Sequence, residues 1–168
     1  SINNLALNEN DIGEFRTFLK LSPPLRTEDD RISLIDGINK NLIDVIVSDH
    51  KPEDEESKRI TFSQATSGAC GIETLLPLIL ELYHDKSINL TRLISTITSS
   101  PAKILNINKG SLEKGRDADL CVVDINKYWR VNKSKLKSKS KNTPIENRKL
   151  KGQVLKTFLK GEIAFELI

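Results

Sequence analysis

The apolar run Leu42-Ile43-Asp44-Val45-Ile46-Val47 stops abruptly at Ser48, and the adjacent carboxylate and imidazole of Asp49-His50 follow, with Pro52 just beyond. A parallel barrel presents its chemistry in this way. Its strands are buried on both faces and read as continuous Val, Ile and Leu, while reactive groups sit where the C-terminal end of a strand opens into a loop. Asp49 can ligate a metal or take a proton from a metal-bound water, and His50 can ligate, bind substrate or hold a neighbour in place. The same residues also make an ordinary strand followed by a polar turn that Pro52 breaks.

Other reactive side chains are few. Cys70 and Cys121 are far apart, and neither has a second Cys or a His at ligand spacing, so a disulfide scaffold or zinc knuckle is not indicated and a reducing cytoplasm fits best. With no histidine close to it in sequence, Cys70 reads as a packing residue rather than a nucleophile. His84 follows Tyr83 at the end of a helical pattern, where a cation favours the helix C-terminus. Gly68 and Gly71 allow backbone N–H groups to approach a ligand carboxylate closely. Glu73 suits the first turn of a helix, and Trp129 suits a packing layer.

These residues need elements to hold them. Phe15 to Leu21 reads as a strand ended by Ser22-Pro23-Pro24, and Thr27 with Asp30 three residues later makes a capping-box start for a helix carrying Leu34, Ile35 and Ile38 on one face. Asn41 marks its end before the strand Leu42 to Val47, which completes a strand-helix-strand unit. A polar loop from Lys51 to Cys70 follows, of the length that closes over a site. Gly71 leads into a helix with Ile72, Leu75, Leu76, Ile79 and Tyr83 at helical spacing, and a second helical pattern runs through Leu90, Leu93, Ile94 and Ile97. Ser100-Pro101 restarts a helix, Ser as cap and Pro at its first position. From Lys109 onward the pattern is of short strands: Ala118 to Ile125 as a buried strand, Tyr128 to Val131 as another, then Gln153 to Leu159 and Glu162 to Leu167 as a hairpin about Lys160-Gly161.

Composition sets outer bounds. The 168 residues suit one domain of ordinary size, with 38% hydrophobic and 29% charged residues, and no Met occurs, so the start at Ser1 reads as cut or processed. No apolar run approaches the roughly 20 residues that a membrane span needs. The net charge of +3 is small, and its basic excess is concentrated in Lys133 to Lys151. That run carries no aromatic stacking residues, so it reads as a solvated loop and not as a nucleic-acid site.

In order along the chain stand Leu21-Ser22-Pro23-Pro24-Leu25-Arg26, Asp30-Arg31, Ile43 to His50 with Pro52, Gly71-Ile72-Glu73-Thr74-Leu75-Leu76-Pro77-Leu78, Pro101-Ala102-Lys103-Ile104-Leu105, Gly110-Ser111-Leu112, Gly115 with Ala118-Asp119-Leu120, Ser138 to Pro144, and Gly152-Gln153-Val154. Taken together, these motifs resemble the C-terminal part of a dihydroorotase, in the cyclic amidohydrolase superfamily, over essentially all 168 residues. The resemblance implies an α/β chain: the last strands and helices of a (β/α)8 barrel over residues 1–107, then a connecting segment and part of a small β-sandwich over 108–168. It implies one or two zinc ions activating a hydroxide that attacks the ring amide of dihydroorotate, with Asp49 as metal ligand and proton shuttle. A histidine ligand position of the family falls on Asn3 or Asn4, and an amide is a poor donor to zinc. Substrate contacts fall on Ser22, where the family has Asn, on Glu53, where it has His, and on Gly71.

Two functions follow from the resemblance. One is the C-terminal part of a zinc-dependent dihydroorotase of pyrimidine biosynthesis, cytoplasmic and homo-oligomeric in its full-length form, acting on dihydroorotate or N-carbamoyl-aspartate, with these residues alone inactive. The other is a catalytically silent dihydroorotase-like subunit that assembles with aspartate transcarbamoylase. Asn3, Asn4, Ser22 and Glu53 favour the second, while Asp49 and His50 support the first. Neither calls for nucleic acid or a membrane.

Overall fold

The computed structural model describes residues 1–167. Its first part is made of short helices and extended segments, its last part of one antiparallel sheet. Helix α1 spans Asn3–Ala6 and α2 spans Glu28–Asn39. The Thr27 side chain accepts from the Asp30 amide while the Asp30 carboxylate accepts from the Thr27 amide, and Glu28, Asp29 and Asp30 crowd the first turn, where the helix dipole favours negative charge. Asn41 takes a left-handed conformation (φ 58°), and the Leu42 amide donates back to the Gly37 carbonyl at 2.9 Å, which ends the helix and turns the chain into the segment leading to Asp49.

Helix α3 (Leu75–His84) buries Pro77, Leu78, Ile79, Leu80 and Leu82. Pro77 is tolerated in the first turn, where its missing N–H has no helical partner to lose. Helix α4 (Leu90–Ile97) is capped by Asn89, whose side chain accepts from the Arg92 amide, and α5 (Ser99–Ile104) follows directly. Strands β1 (Leu120–Arg130), β2 (Lys149–Leu159) and β3 (Glu162–Glu166) form a sheet in sequence order, antiparallel throughout. Lys160 and Gly161 both have positive φ (51° and 85°), the geometry of the two-residue hairpin turn. Helix α3 lies against β2 so closely that a Cβ on Gly152 would fall 2.3 Å from a Leu80 methyl. The core runs through both parts, from Ile2, Leu19 and Ile38 to Leu78, Val131 and Leu150.

Several expectations need correction. Phe15 to Leu21 is not a strand: it contains a 3-10 turn at Thr17–Leu19, because the Leu19 and Lys20 amides close on the Arg16 and Thr17 carbonyls. The segment 42–47 is extended but has no ladder, and the parallel pairing near it is an isolated bridge between His50 and Ala69. Thr98, not Ser100, precedes α5. The two strands expected at 118–125 and 128–131 are one strand, Leu120–Arg130, whose register shifts between Asp124 and Tyr128, where the Asp124 carboxylate accepts from the Asn126 and Lys127 amides. That strand is largely exposed rather than buried. Leu34 and Ile72 are exposed, and Ile72 lies outside α3. The basic run 133–151 is not a wholly solvated loop, since Asn142, Thr143, Pro144 and Ile145 within it are all buried.

Candidate functional site

Asp49 stands at the end of the extended segment in a left-handed conformation (φ 49°), an uncommon state for a residue with a side chain and one that clusters at functional sites. Its neighbours hold that conformation in place. The Ile46 amide donates to the Thr96 carbonyl of α4 at 3.2 Å, the Val47 carbonyl accepts from the Ile2 amide at 2.9 Å, and the Lys51 amide donates to the Ala69 carbonyl at 2.9 Å. The segments 46–51 and 68–71 therefore run side by side. Two glycines make that approach possible: a Cβ on Gly71 would lie 2.5 Å from the Ser48 carbonyl oxygen, and one on Gly68 would lie 2.6 Å from that of Lys51. The glycines thus serve a backbone approach, and the group approached is the chain on either side of Asp49.

His50 is half-buried, and its Nδ1 accepts from the Gly71 amide at 3.2 Å and from the Ile72 amide at 3.4 Å. A ring nitrogen that accepts carries no proton, so in the neutral ring the proton is on Nε2. The arrangement gives His50 the holding role, and the Gly71 N–H is engaged by it.

Asn3 and Asn4 lie on α1, whose preceding residue Ile2 is bonded to Val47, and burial lowers the Ser1 α-amino pKa below its ordinary value although the nearby Asp49 carboxylate acts to raise it. Asn3 is buried with its Nδ2 unpartnered, and the buried Asn4 Oδ1 has no partner either. The Asn4 Nδ2 donates to the Pro24 carbonyl at 2.9 Å, bringing α1 up to the exposed Ser22 and its cis peptide to Pro23. The Gly68 amide donates to the Lys20 carbonyl at 3.0 Å, which joins the same stretch to the segment beside Asp49. Residues 1–4, 20–24, 47–51 and 68–71 are thus stitched together, so Asp49, His50, Gly71, Asn3 and Asn4 share one neighbourhood with Ser22 at its margin.

Glu53 is mostly buried, 3.7 Å from the Lys51 ammonium, and lines a cleft of about 360 Å³ with Phe18, Asp54, Glu55, Lys139 and Asn142. Two residues that sequence reading passed over fix this rim. Lys58 is buried, with its ammonium donating to the carbonyls of Thr17, Lys20 and Thr66. Burial pushes its pKa below the usual lysine value. Asn142 bonds Glu53, Gly68 and Cys70 at once, and its only sequence signal was its place in the 138–144 motif, two residues before Pro144. His84, by contrast, lies away from the site, where its Nε2 meets the Ile125 carbonyl of β1 at 2.9 Å.

The donors present do not suit zinc. Asp49 is a carboxylate, but Asn3 and Asn4 offer amides, and among the described residues no group of three His, Cys, Asp or Glu side chains converges as a metal site requires. What the arrangement can do chemically is hold one carboxylate at a left-handed backbone position, next to a histidine whose ring is fixed by the Gly71 and Ile72 amides.

Residues 8–164 match the Amidohydrolase family. A dihydroorotase of Ehrlichia canis is 42% identical over 98% of this chain, and one of Anaplasma phagocytophilum is 43% identical over 95% of it. The chain spans only 37% and 36% of those relatives. Among solved structures, the L-hydantoinase (dihydropyrimidinase) of Arthrobacter aurescens superposes with a TM-score of 0.93 at 30% identity, over 99% of this chain and 38% of that one. The dihydropyrimidinase of Brevibacillus agri superposes with a TM-score of 0.90 at 20% identity, a likeness of fold alone.

Proposed function

The chain belongs to the amidohydrolase family, and we propose that it is the C-terminal part of a dihydroorotase-type cyclic amidohydrolase, with residues 1–107 closing a (β/α)8 barrel and 108–168 contributing to a small β-sandwich. The observation that carries this reading is Asp49, a carboxylate at the end of an extended apolar segment, held left-handed between Ser48 and His50 and flanked by the glycine-dependent contact with residues 68–71. The identity to dihydroorotases supports the substrate class: dihydroorotate in one direction and N-carbamoyl-aspartate in the other.

In this reading a water adds to the ring carbonyl carbon as Asp49 takes its proton. The carbon–nitrogen bond then breaks, and the same carboxyl returns the proton to the leaving nitrogen, which opens the ring. His50 holds the Gly71–Ile72 turn and with it the Asp49 backbone, while Ser22 and Glu53 line the approach. The zinc that the family resemblance brings is not supported by the donor set of these residues. A reducing compartment fits the two free thiols, and no helix among the described residues is long and apolar enough to cross a membrane.

The test uses the full-length polypeptide that contains these residues. Asp49→Asn should lower kcat for dihydroorotate hydrolysis by about 10²- to 10⁴-fold, the usual contribution of a positioned acid-base group. An unchanged rate would remove Asp49 from the chemistry. A second reading, the silent subunit that assembles with aspartate transcarbamoylase, is favoured by Asn3, whose buried NH2 group has no partner and offers a cation no lone pair. Co-purification with that enzyme in the absence of turnover would decide for it.

A further inference from the structure

The basic stretch that composition marks as solvated contributes one wall of the site through Asn142, which is 2% exposed. Its Oδ1 accepts from the Glu53 amide at 3.3 Å and from the Cys70 thiol at 3.0 Å, and its Nδ2 donates to the Gly68 carbonyl at 3.1 Å. Its backbone carbonyl accepts from the Cys70 amide at 3.2 Å. The side-chain orientation is fixed by these partners: the reversed amide would set its NH2 against the Glu53 N–H and its oxygen against the Gly68 carbonyl. We propose that Asn142 is a positioning residue for the hydrolase site, locking the start of loop 51–70 and the segment 68–70 into one geometry around Asp49. This rests on the amidohydrolase reading above.

The reach from Asn142 to Asp49 is short and stiff. Gly68 lies so close to the Lys51 carbonyl, and Gly71 to that of Ser48, that segment 68–71 cannot shift without moving 48–51 as well. The Lys51 amide bond to Ala69 and the His50 ring bonds to the Gly71 and Ile72 amides tie the same pair together. Glu53, three residues on, borders the cleft and is fixed at its backbone by the Asn142 oxygen. A buried side chain that satisfies donors and acceptors from two other segments sets the distance between them, since without it the Glu53 amide and the Gly68 carbonyl lose their partner, while the Cys70 thiol keeps the Ser140 carbonyl at 3.1 Å.

The test again uses the full-length polypeptide, with Asn142→Leu removing all three side-chain bonds at similar volume and Asn142→Asp keeping the two accepted bonds while opposing the Gly68 carbonyl. Two quantities are read: iodoacetamide labelling of buried Cys70, followed by mass spectrometry and referred to the rate of the same cysteine in urea, and the kinetic constants for dihydroorotate. In Asn142→Leu, Cys70 labelling should accelerate about tenfold over the parent and KM should rise about tenfold with a smaller change in kcat, the size expected for one buried bond left unmade. Asn142→Asp should fall between this variant and the parent. Cys70 labelling that stays at the parental rate in a folded variant overturns the proposal, and so does an unchanged KM. If Asn142→Leu does not fold, Asn142→Asp decides on the same two readouts. A parent polypeptide without turnover would defeat the hydrolase reading, and the Cys70 comparison alone then settles whether Asn142 locks the segments.

Discussion

At the scale of single residues, Asp49 and His50 were visible in the sequence because an apolar β-branched run that ends on titratable groups is a strong pattern. Their partners were not visible, because contact between residues 21 or more positions apart leaves no local trace. Gly71 illustrates the difference. Its lack of a side chain signalled a close approach, and the sequence could not say that the approaching group is the Ser48 carbonyl or that the Gly71 N–H would be engaged by His50. Gly71→Ala should therefore destabilise the protein by about 1–3 kcal/mol, the cost of forcing extra atoms into a packed site. Urea titration measures it, and a midpoint equal to that of the parent would mean the two segments can part without cost. The same substitution should also lower kcat, since the displaced Ser48 is bonded directly to Asp49.

At the scale of elements, helices with caps were legible and extended segments were not. The Thr27–Asp30 capping box and the helical spacing of Leu90, Leu93, Ile94 and Ile97 are local patterns, so α2 and α4 appear close to where their sequences place them. Phe15 to Leu21 has the composition of a strand, but no neighbouring strand pairs with it, and the chain satisfies its amides within a 3-10 turn instead. The loop 51–70 was recognisable by length, whereas its anchor was hidden: a lysine in a polar loop reads as solvated, yet the Lys58 ammonium spends its donors on carbonyls of Thr17, Lys20 and Thr66. Lys58→Met should cost about 1–3 kcal/mol through the carbonyls left unpaired, and limited proteolysis should cut within 51–70 sooner than in the parent. Cleavage at the parental rate would show that Thr17, whose hydroxyl donates to the Lys58 carbonyl, holds the loop without the ammonium. The start of α2 gives a pH dependence. Hydrogen bonds from Arg31 and Asn8 hold the Glu28 carboxyl at about 2, below its ordinary 4.5. The unfolded chain therefore binds the proton first as pH falls, so the stabilisation is complete above 4.5 and is lost between 4.5 and about 2. Thermal melts of Glu28→Gln and the parent should differ above pH 4.5 and converge near pH 2, and curves that stay parallel would remove Glu28 from the acid response.

At the scale of the molecule, β1 is instructive because its apolar run Leu120 to Val123 is that of a strand covered on both faces, whereas Cys121 and Val122 are exposed. The sheet leaves Leu159, Ile163 and Phe165 open as well, and Leu42 and Leu112 are 75% and 83% exposed elsewhere. The outer edge of β1 has no strand beside it among the described residues, and residues 42–47 are extended without a ladder. Composition thus reported a covering layer that residues 1–167 do not contain, and the relatives are long enough to hold one, since this chain spans only 37% of the Ehrlichia canis dihydroorotase. Exposed apolar area with unpaired strand edges drives association between chains. The 168-residue chain on its own is accordingly expected to self-associate and to lack hydrolase activity. Size-exclusion chromatography with light scattering checks the first point: a monodisperse monomer with a single cooperative thermal transition would show that this surface is tolerated as it stands. Supplying the complementary part of a full-length relative as a separate chain should then reduce the association by covering the same apolar residues. Dihydroorotate hydrolysis by that mixture, lost again with Asp49→Asn, would tie the restored activity to this chain's own carboxylate, whereas improved solubility without turnover would favour the silent-subunit reading.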